Sequence, residues 1–504
     1  MATLTEPTTA TGKRLPDARL FIDGELRDAE GGKSYDVISP WTGQPVGKAA
    51  NGSAADVEAA IAAARRAFDE TDWPSIENKD RRFELVKKLR ELFQENYQRL
   101  ADLAVHEAGA ALGAVGRAHV DMALMGWDDY LQVFPQVKWE KDYGTRDYGP
   151  GGKHERMAVY EPIGVVAAIT PWNVPFYVNV GKVVAALLAG CTVILKPAPD
   201  TPGMGSIWGE LVQKAGFPKG VFNVVFGQDP ALAGEMMVKD PRVDLISFTG
   251  STGVGKRIME QGAQTLKRVF LELGGKSAKI VLDDAPNFAQ EIAQSMLVFH
   301  AGQGCAVQSR LLVPRSRYDE AKEIMKKAYA GYGDNWGDVS NPAHIMGPVI
   351  NQRQKERVLS YVEIGQKEGA TLLHGGKARP DKGGGYFVEP TCFVDVTNDM
   401  RIAQEEIFGP VLVVIAFEDD EDAIRIANAS DYGLGGGVVS GNHERAMKIA
   451  RRVRTGTMSV NGGMSIAGDI PFGGYKASGM GREWGLEGIE EFLETKLIAV
   501  VKAA

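Results

Sequence analysis

Five short apolar runs divide the stretch between residues 158 and 275: Val159 to Ile169, Cys191 to Leu195, Val221 to Val225, Val243 to Phe248 and Val269 to Leu273. They are separated by segments long enough for helices. Repeated β-α-β units of this kind pack as a doubly wound parallel sheet with helices on both faces, an α/β fold. Ligands of such sheets sit beyond the carboxyl ends of the strands, so the residues that follow each run are where chemistry is expected.

The chain has 504 residues. Single cores stop growing at about 250–300 residues, so two or more domains are expected. The N-terminal part supplies an early element: Phe21-Ile22-Asp23-Gly24 reads as a strand entering a turn, and Ser53 caps a helix whose apolar face is Val57, Ala60, Ile61, Ala64 and Phe68. The fold proper is therefore expected to begin near residue 18, with residues 1–17, polar and Thr-rich, as a flexible N-terminus. Residues 137–157 carry Trp139, Tyr143, Gly144, Tyr148, Gly149 and Pro150 among charges without a helical period, and read as an excursion from the domain. After Gly275 a second βα-type region runs to about residue 470. The tail from Phe492 to Val501 alternates like an exposed strand.

Composition narrows the function classes. A net charge of -8 disfavours a nucleic-acid partner, because surfaces that bind phosphate backbones concentrate Lys and Arg. No apolar run approaches the roughly 18 residues of a membrane span, and the N-terminus has no apolar leader core, so neither a membrane nor export is expected. Cys191, Cys305 and Cys392 form neither a disulfide framework nor a paired metal-ligand spacing; no metal is expected, and a reducing, cytoplasmic setting is. Cys191 and Cys392 sit inside apolar runs and read as packing residues.

The strand ending at Phe248 opens into Thr249-Gly250-Ser251-Thr252-Gly253-Val254-Gly255-Lys256 and then a helix, an arrangement that aims backbone N–H groups at an anion. Gly250 to Lys256 also matches most of a phosphate-binding P-loop, but Arg257 stands where that loop needs Ser or Thr for magnesium, which argues against an NTPase. A ligand-free turn remains a reading of this segment alone. Cys305, among the small residues of Ala301-Gly302-Gln303-Gly304, is either an approachable nucleophile or a buried structural thiol. Glu272 lies between Leu271 and Leu273 at a strand end. Apolar neighbours should raise its pKa into the range of a general base, although a surface carboxylate is the commoner fate of Glu. Asn173, in Pro171-Trp172-Asn173-Val174-Pro175, is either an amide donor to an oxyanion or a turn residue.

Taken in order, seven segments make the chain resemble the aldehyde dehydrogenase superfamily along almost its whole length. They are Pro171-Trp172-Asn173, Lys196-Pro197-Ala198, Phe248 to Thr252, Leu271 to Lys276, Gly302 to Cys305, Glu405 to Pro410, and Pro471 to Lys476. The resemblance implies that Cys305 is the nucleophile, Glu272 the base for the deacylating water, and Asn173 an oxyanion donor beside the Cys305 backbone N–H. It implies NAD as cofactor: Lys196 at the adenosine ribose, Gly250 and Ser251 at the pyrophosphate, Ile169 and Trp172 lining the cleft, and Glu406 with Phe408 at the nicotinamide ribose and ring. Gln354 is a further cofactor contact by this resemblance. Pro199 stands where many members have a Glu for the ribose hydroxyls, so NADP is expected to be tolerated, with Asp200 as a partial substitute. Gly253 stands where Glu is common, and His300 replaces an Asn often found five residues before the nucleophile.

The resemblance also implies the architecture. A Rossmann-like NAD(P)-binding domain is expected over 18–136 and 158–272, an α/β catalytic domain over 273–486, and a β oligomerisation arm over 137–157 and 487–504, giving a homo-oligomer, dimer or tetramer. A CoA-acylating relative would resolve the thioester with a thiol rather than water, and Glu272 argues for water. A non-catalytic member would be expected to lack Cys305 or Glu272. Val174, Phe176, Tyr177, Gly304 and the loop Gly463 to Ala467 are the candidate substrate residues, mostly apolar, which favours a hydrophobic aldehyde.

Overall fold

A computed structural model describes residues 14–501. The Asp23-Gly24 pair takes positive φ at both positions and closes the hairpin between strands Leu20–Ile22 and Glu25–Arg27. Ser53 begins helix Ala54–Glu70 through a capping box: its hydroxyl accepts from the Asp56 N–H at 3.2 Å, and the Asp56 carboxylate accepts from the Ser53 N–H at 2.9 Å. Val57, Ala60, Ile61 and Ala64 of that helix are buried. Its apolar face packs on the large sheet.

Among the described residues the strands form two large sheets and three small ones. The first large sheet is eight-stranded, in the spatial order Glu25–Arg27, Leu20–Ile22, Phe222–Val224, Thr192–Lys196, Val165–Ile169, Leu245–Thr249, Arg268–Glu272, Gly479–Met480. Its five central strands are parallel, and the chain order reverses on either side of Val165–Ile169. That reversal opens the crevice in which a doubly wound sheet holds its ligand. The second sheet is seven-stranded, built on Ala278–Val281, Arg310–Pro314, Val411–Phe417, Thr391–Val394 and Gly436–Val439 in parallel pairings. A three-stranded antiparallel sheet joins Glu140–Asp147, Lys153–Pro162 and the tail strand Leu493–Val501. No helix of the described residues is long and apolar enough to cross a membrane.

Three expectations need correction. The run Val159 to Ile169 is two strands in different sheets. Pro162 ends the first, and the Asp244 carboxylate, accepting from the Val165 N–H at 2.7 Å, starts the second. The excursion accordingly runs past residue 157 to Pro162. At the N-terminus, residues 1–13 lie outside the described residues, but Leu15 is buried and its N–H donates to the Val46 carbonyl at 2.7 Å, so the ordered chain starts before residue 18.

Candidate active site

The segment that carries Cys305 is built around unusual backbone. His300, Ala301 and Gly302 all adopt positive φ, at 47°, 51° and 68°. A Cβ on Gly302 would stand 2.3 Å from the Gly409 carbonyl oxygen, and one on Gly275 would stand 2.3 Å from that of Cys305. Glycine is therefore required where the Leu271 to Lys276 segment and the 405–410 loop close on the cysteine. Left-handed non-glycine residues in sequence store strain that the surroundings must hold, and such strain clusters at functional sites.

Cys305 is half-buried, a free thiol. Burial pushes its pKa up to about 12, helped by the charges of Glu272 and Glu406, while the N–H groups of Ala306 and of Cys305 itself pull it down. Cys191, just before strand Thr192–Lys196, and Cys392, within Thr391–Val394, are fully buried in the packing, as expected. Asn173 is 4% exposed; its Nδ2 donates to the Gln303 carbonyl at 3.0 Å, which fixes the amide two residues before the sulfur.

Glu272 ends the Arg268–Glu272 strand, covered on one side by Gly479–Met480 and on another by Gly473, where an added Cβ would come within 2.9 Å of its Oε1. The side chain is 2% exposed and neither oxygen is hydrogen-bonded among the described residues. Burial and the Glu483 charge raise its pKa well above that of an ordinary carboxylate, against the pull of Lys182. Lys182 donates to Glu483 Oε1 at 2.5 Å and to the Ser247 hydroxyl at 3.0 Å, all three being buried. Glu483 is held in turn by its neighbour Trp484, which stacks between Tyr130 and Tyr177 at centroid distances of 4.9 and 4.4 Å. Sequence reasoning did not single out Lys182 or Glu483. The signal available was a lysine inside the apolar run Val178 to Leu188, since a buried ammonium demands a partner.

A cleft of about 730 Å³ lies at the carboxyl ends of the central strands. Ile169, Trp172, Lys196 and Gly250 line it, as do Pro199, Asp200, Arg257 and Arg353. Ser251 is exposed at the start of helix Thr252–Gly262, outside the lining. The residues present suit a dinucleotide. The Thr170 and Thr249 hydroxyls are buried without partners among the described residues, and the Lys196 ammonium has only a 3.5 Å contact with the Pro197 carbonyl, so donors converge on an anionic, hydroxylated ligand. Burial lowers the Lys196 pKa to about 8.

Glu406 accepts from the Gly275 N–H at 2.9 Å, and Phe408, at φ 60°, meets Trp172 edge to face at 5.3 Å. Gln354 does not line the cleft. Its amide donates to the carbonyls of Ile407 and Phe408 at 3.1 and 2.8 Å, so it braces their loop instead. One substrate expectation also changes, that for Phe176. Phe176 is buried in the core against Phe93, and Gly463 is exposed; Ser465 and Ile466 of the same loop are the residues that border a cavity behind Ala306 and Val307. Val174, Tyr177 and Gly304 are each partly exposed, and the Tyr177 hydroxyl is buried and unpartnered among the described residues.

Residues 26–498 match the sequence profile of the aldehyde dehydrogenase family. The chain is 40% identical over 484 residues to aldehyde dehydrogenase 1 of Tanacetum cinerariifolium, covering 95% of this chain and 94% of that one. Its structure is similar, at TM-score 0.91 and 34% identity, to betaine aldehyde dehydrogenase from Staphylococcus aureus in complex with NAD+, covering 96% of this chain and 95% of the other. It is also similar, at TM-score 0.88 and 36% identity, to aldehyde dehydrogenase C from Pseudomonas syringae complexed with NAD+ and octanal, covering 99% and 98%. By this match over most of its length and by these relatives, the chain belongs to the aldehyde dehydrogenase family.

Proposed function

We propose that the chain oxidises a hydrophobic aldehyde to its carboxylic acid through a thioester on Cys305, with water activated by Glu272. The convergence of Cys305, Asn173 and Glu272, each buried or half-buried, carries this reading. Bound in the cleft, NAD supplies the hydride acceptor.

The Glu272 carboxylate takes the Cys305 thiol proton and passes it to solvent, and the sulfur adds to the aldehyde carbon. A charged Glu272 disfavours ionisation of the thiol. The carbonyl oxygen becomes an alkoxide, which accepts hydrogen bonds from Asn173 Nδ2 and the Cys305 N–H. Its collapse expels hydride from the carbon and leaves a thioester. Glu272 then takes a proton from water, the oxygen adds to the thioester, and the C–S bond breaks to release the acid. The charges of Glu483 and Lys182 set the field in which that carboxyl takes the proton.

Val174 and Tyr177 give the substrate side an apolar wall, and the Pseudomonas relative is complexed with an eight-carbon aldehyde of that character. NADP is accepted more slowly than NAD: Pro199 presents no carboxylate, while Asp200, accepting from the Asn351 amide at 2.9 Å, still lines the cleft. The chain works as a homo-oligomer. The test is Cys305→Ala, assayed with aliphatic aldehydes and NAD. Oxidation should be lost with cofactor binding intact; substantial residual oxidation would overturn the mechanism.

A further inference from the structure

The nucleophile segment closes on itself through three side chains. The His300 ring donates from Nε2 to the Asn173 carbonyl at 2.8 Å. Asn173 Nδ2 donates to the Gln303 carbonyl at 3.0 Å, and Gln303 Nε2 donates back to the His300 carbonyl at 3.2 Å. Gln303 further ties the ring to the 348–350 segment, donating to the Pro348 carbonyl and accepting from the Ile350 N–H at 2.9 Å. All three residues are buried. This cycle spans the left-handed turn at His300 and Ala301, whose strain would otherwise be free to relax.

We infer that His300 is a positioning residue for the oxyanion donor: its Nε2–H sets the Asn173 backbone, and so aims the Asn173 amide at the oxygen that forms beside Cys305. The inference rests on the oxyanion role proposed for Asn173.

A carbonyl partner admits only the tautomer with hydrogen on Nε2, which leaves the His300 Nδ1 lone pair without a partner. Against that ring lies His119, edge to face at 4.8 Å, buried, with no partner for either nitrogen among the described residues. Burial drives the pKa of His300 down to about 4 and that of His119 well below its ordinary value. The pair therefore stays neutral through the working range. His119 buttresses the ring by packing, and the brace has no proton to lose or gain as the reaction proceeds.

The phenyl ring of His300→Phe keeps the packing on His119 and removes the N–H. Gln carries its amide nitrogen at nearly the reach of Nε2, so His300→Gln restores the donor. Misplacing a catalytic group by about 1 Å costs about a hundredfold. The expected result is a fall of about 10- to 100-fold in the pre-steady-state burst of reduced cofactor for His300→Phe, with NAD affinity unchanged, and recovery to within about threefold for His300→Gln. The same change in an Asn173→Ala background should add little, because the donor that His300 aims is already gone.

A burst at the parental rate in His300→Phe, no recovery in His300→Gln, or full additivity with Asn173→Ala would overturn the inference. If His300→Phe does not fold, His300→Gln against the parent and in the Asn173→Ala background decides it: a burst slowed more than about threefold in a folded His300→Gln counts against it. An Asn173→Ala variant with an undiminished burst would instead remove the oxyanion role itself, so the two failures are distinguishable.

Discussion

Replacing Glu272 with Gln separates the chemistry of this carboxyl from its packing. The side chain is 2% exposed, its oxygens have no partners among the described residues, and burial with the nearby Glu483 charge holds its pKa well up. Gln has the same shape and stays neutral, so only titration is lost. Removing a general base costs about 10²- to 10⁴-fold, so the variant should release one burst of reduced cofactor per site and then turn over slower by that factor. Stability should move the other way. The folded carboxyl keeps its proton to higher pH than the unfolded one, whose pKa is about 4.3, so its contribution is fully present below that value and is lost as pH rises towards the raised folded value. An unsatisfied buried polar group costs about 1–3 kcal/mol, more when charged. Glu272→Gln should therefore match the parent near about pH 4 and exceed it by at least that amount once the parent carboxyl is ionised, a shift of about 2–4 °C in melting temperature per kcal/mol if the cofactor domain melts on its own. Stopped-flow absorbance gives the burst, and thermal melts across pH give the stability. Steady turnover within about tenfold of the parent would refute the base assignment, and melting curves that differ by a constant across pH would refute the electrostatic one.

Pro199→Glu should shift preference further towards NAD, because a carboxylate beside Asp200 repels a 2′-phosphate; unchanged kcat/KM ratios for the two cofactors would count against the reading of that corner. Lys182→Met leaves the buried Glu483 carboxylate without its cation, and breaking a buried pair costs about 3–5 kcal/mol, so chemical denaturation should begin markedly earlier; an unshifted midpoint would show the pair contributes nothing. The tail strand Leu493–Val501 is the edge of its sheet, with Leu497, Val500 and Val501 65, 56 and 63% exposed, so deleting the residues after Glu491 should give a smaller or aggregating species with impaired activity. Light scattering that finds the full chain a stable monomer at micromolar concentration would overturn the assembly reading.

Local pattern reached a long way into this protein. Short apolar runs separated by helix-length segments specified the parallel sheet, because strands buried on both faces read as continuous apolar stretches. The same logic put Lys196 and Glu272 at strand ends and Trp172 and Gly250 just beyond them, where the structure has them. Ser53 announced its helix because a capping box is satisfied within four residues. What failed depended on partners far along the chain. Val159 to Ile169 looks like one strand until Asp244, about 80 residues later, caps its second half into another sheet. Phe176 and Tyr177 are adjacent and both aromatic, and only packing sends one into the core against Phe93 and the other to Trp484. Lys182 and Glu483 lie 301 residues apart, and no periodicity links them; their pairing is required only because folding buries both. The His300–Asn173–Gln303 cycle likewise joins two segments separated by about 130 residues. Sequence determined the elements and the reactive groups, since these follow from local hydrogen bonding and burial pattern. The tertiary structure alone decided which groups share a desolvated space, and so which of them can act on one another.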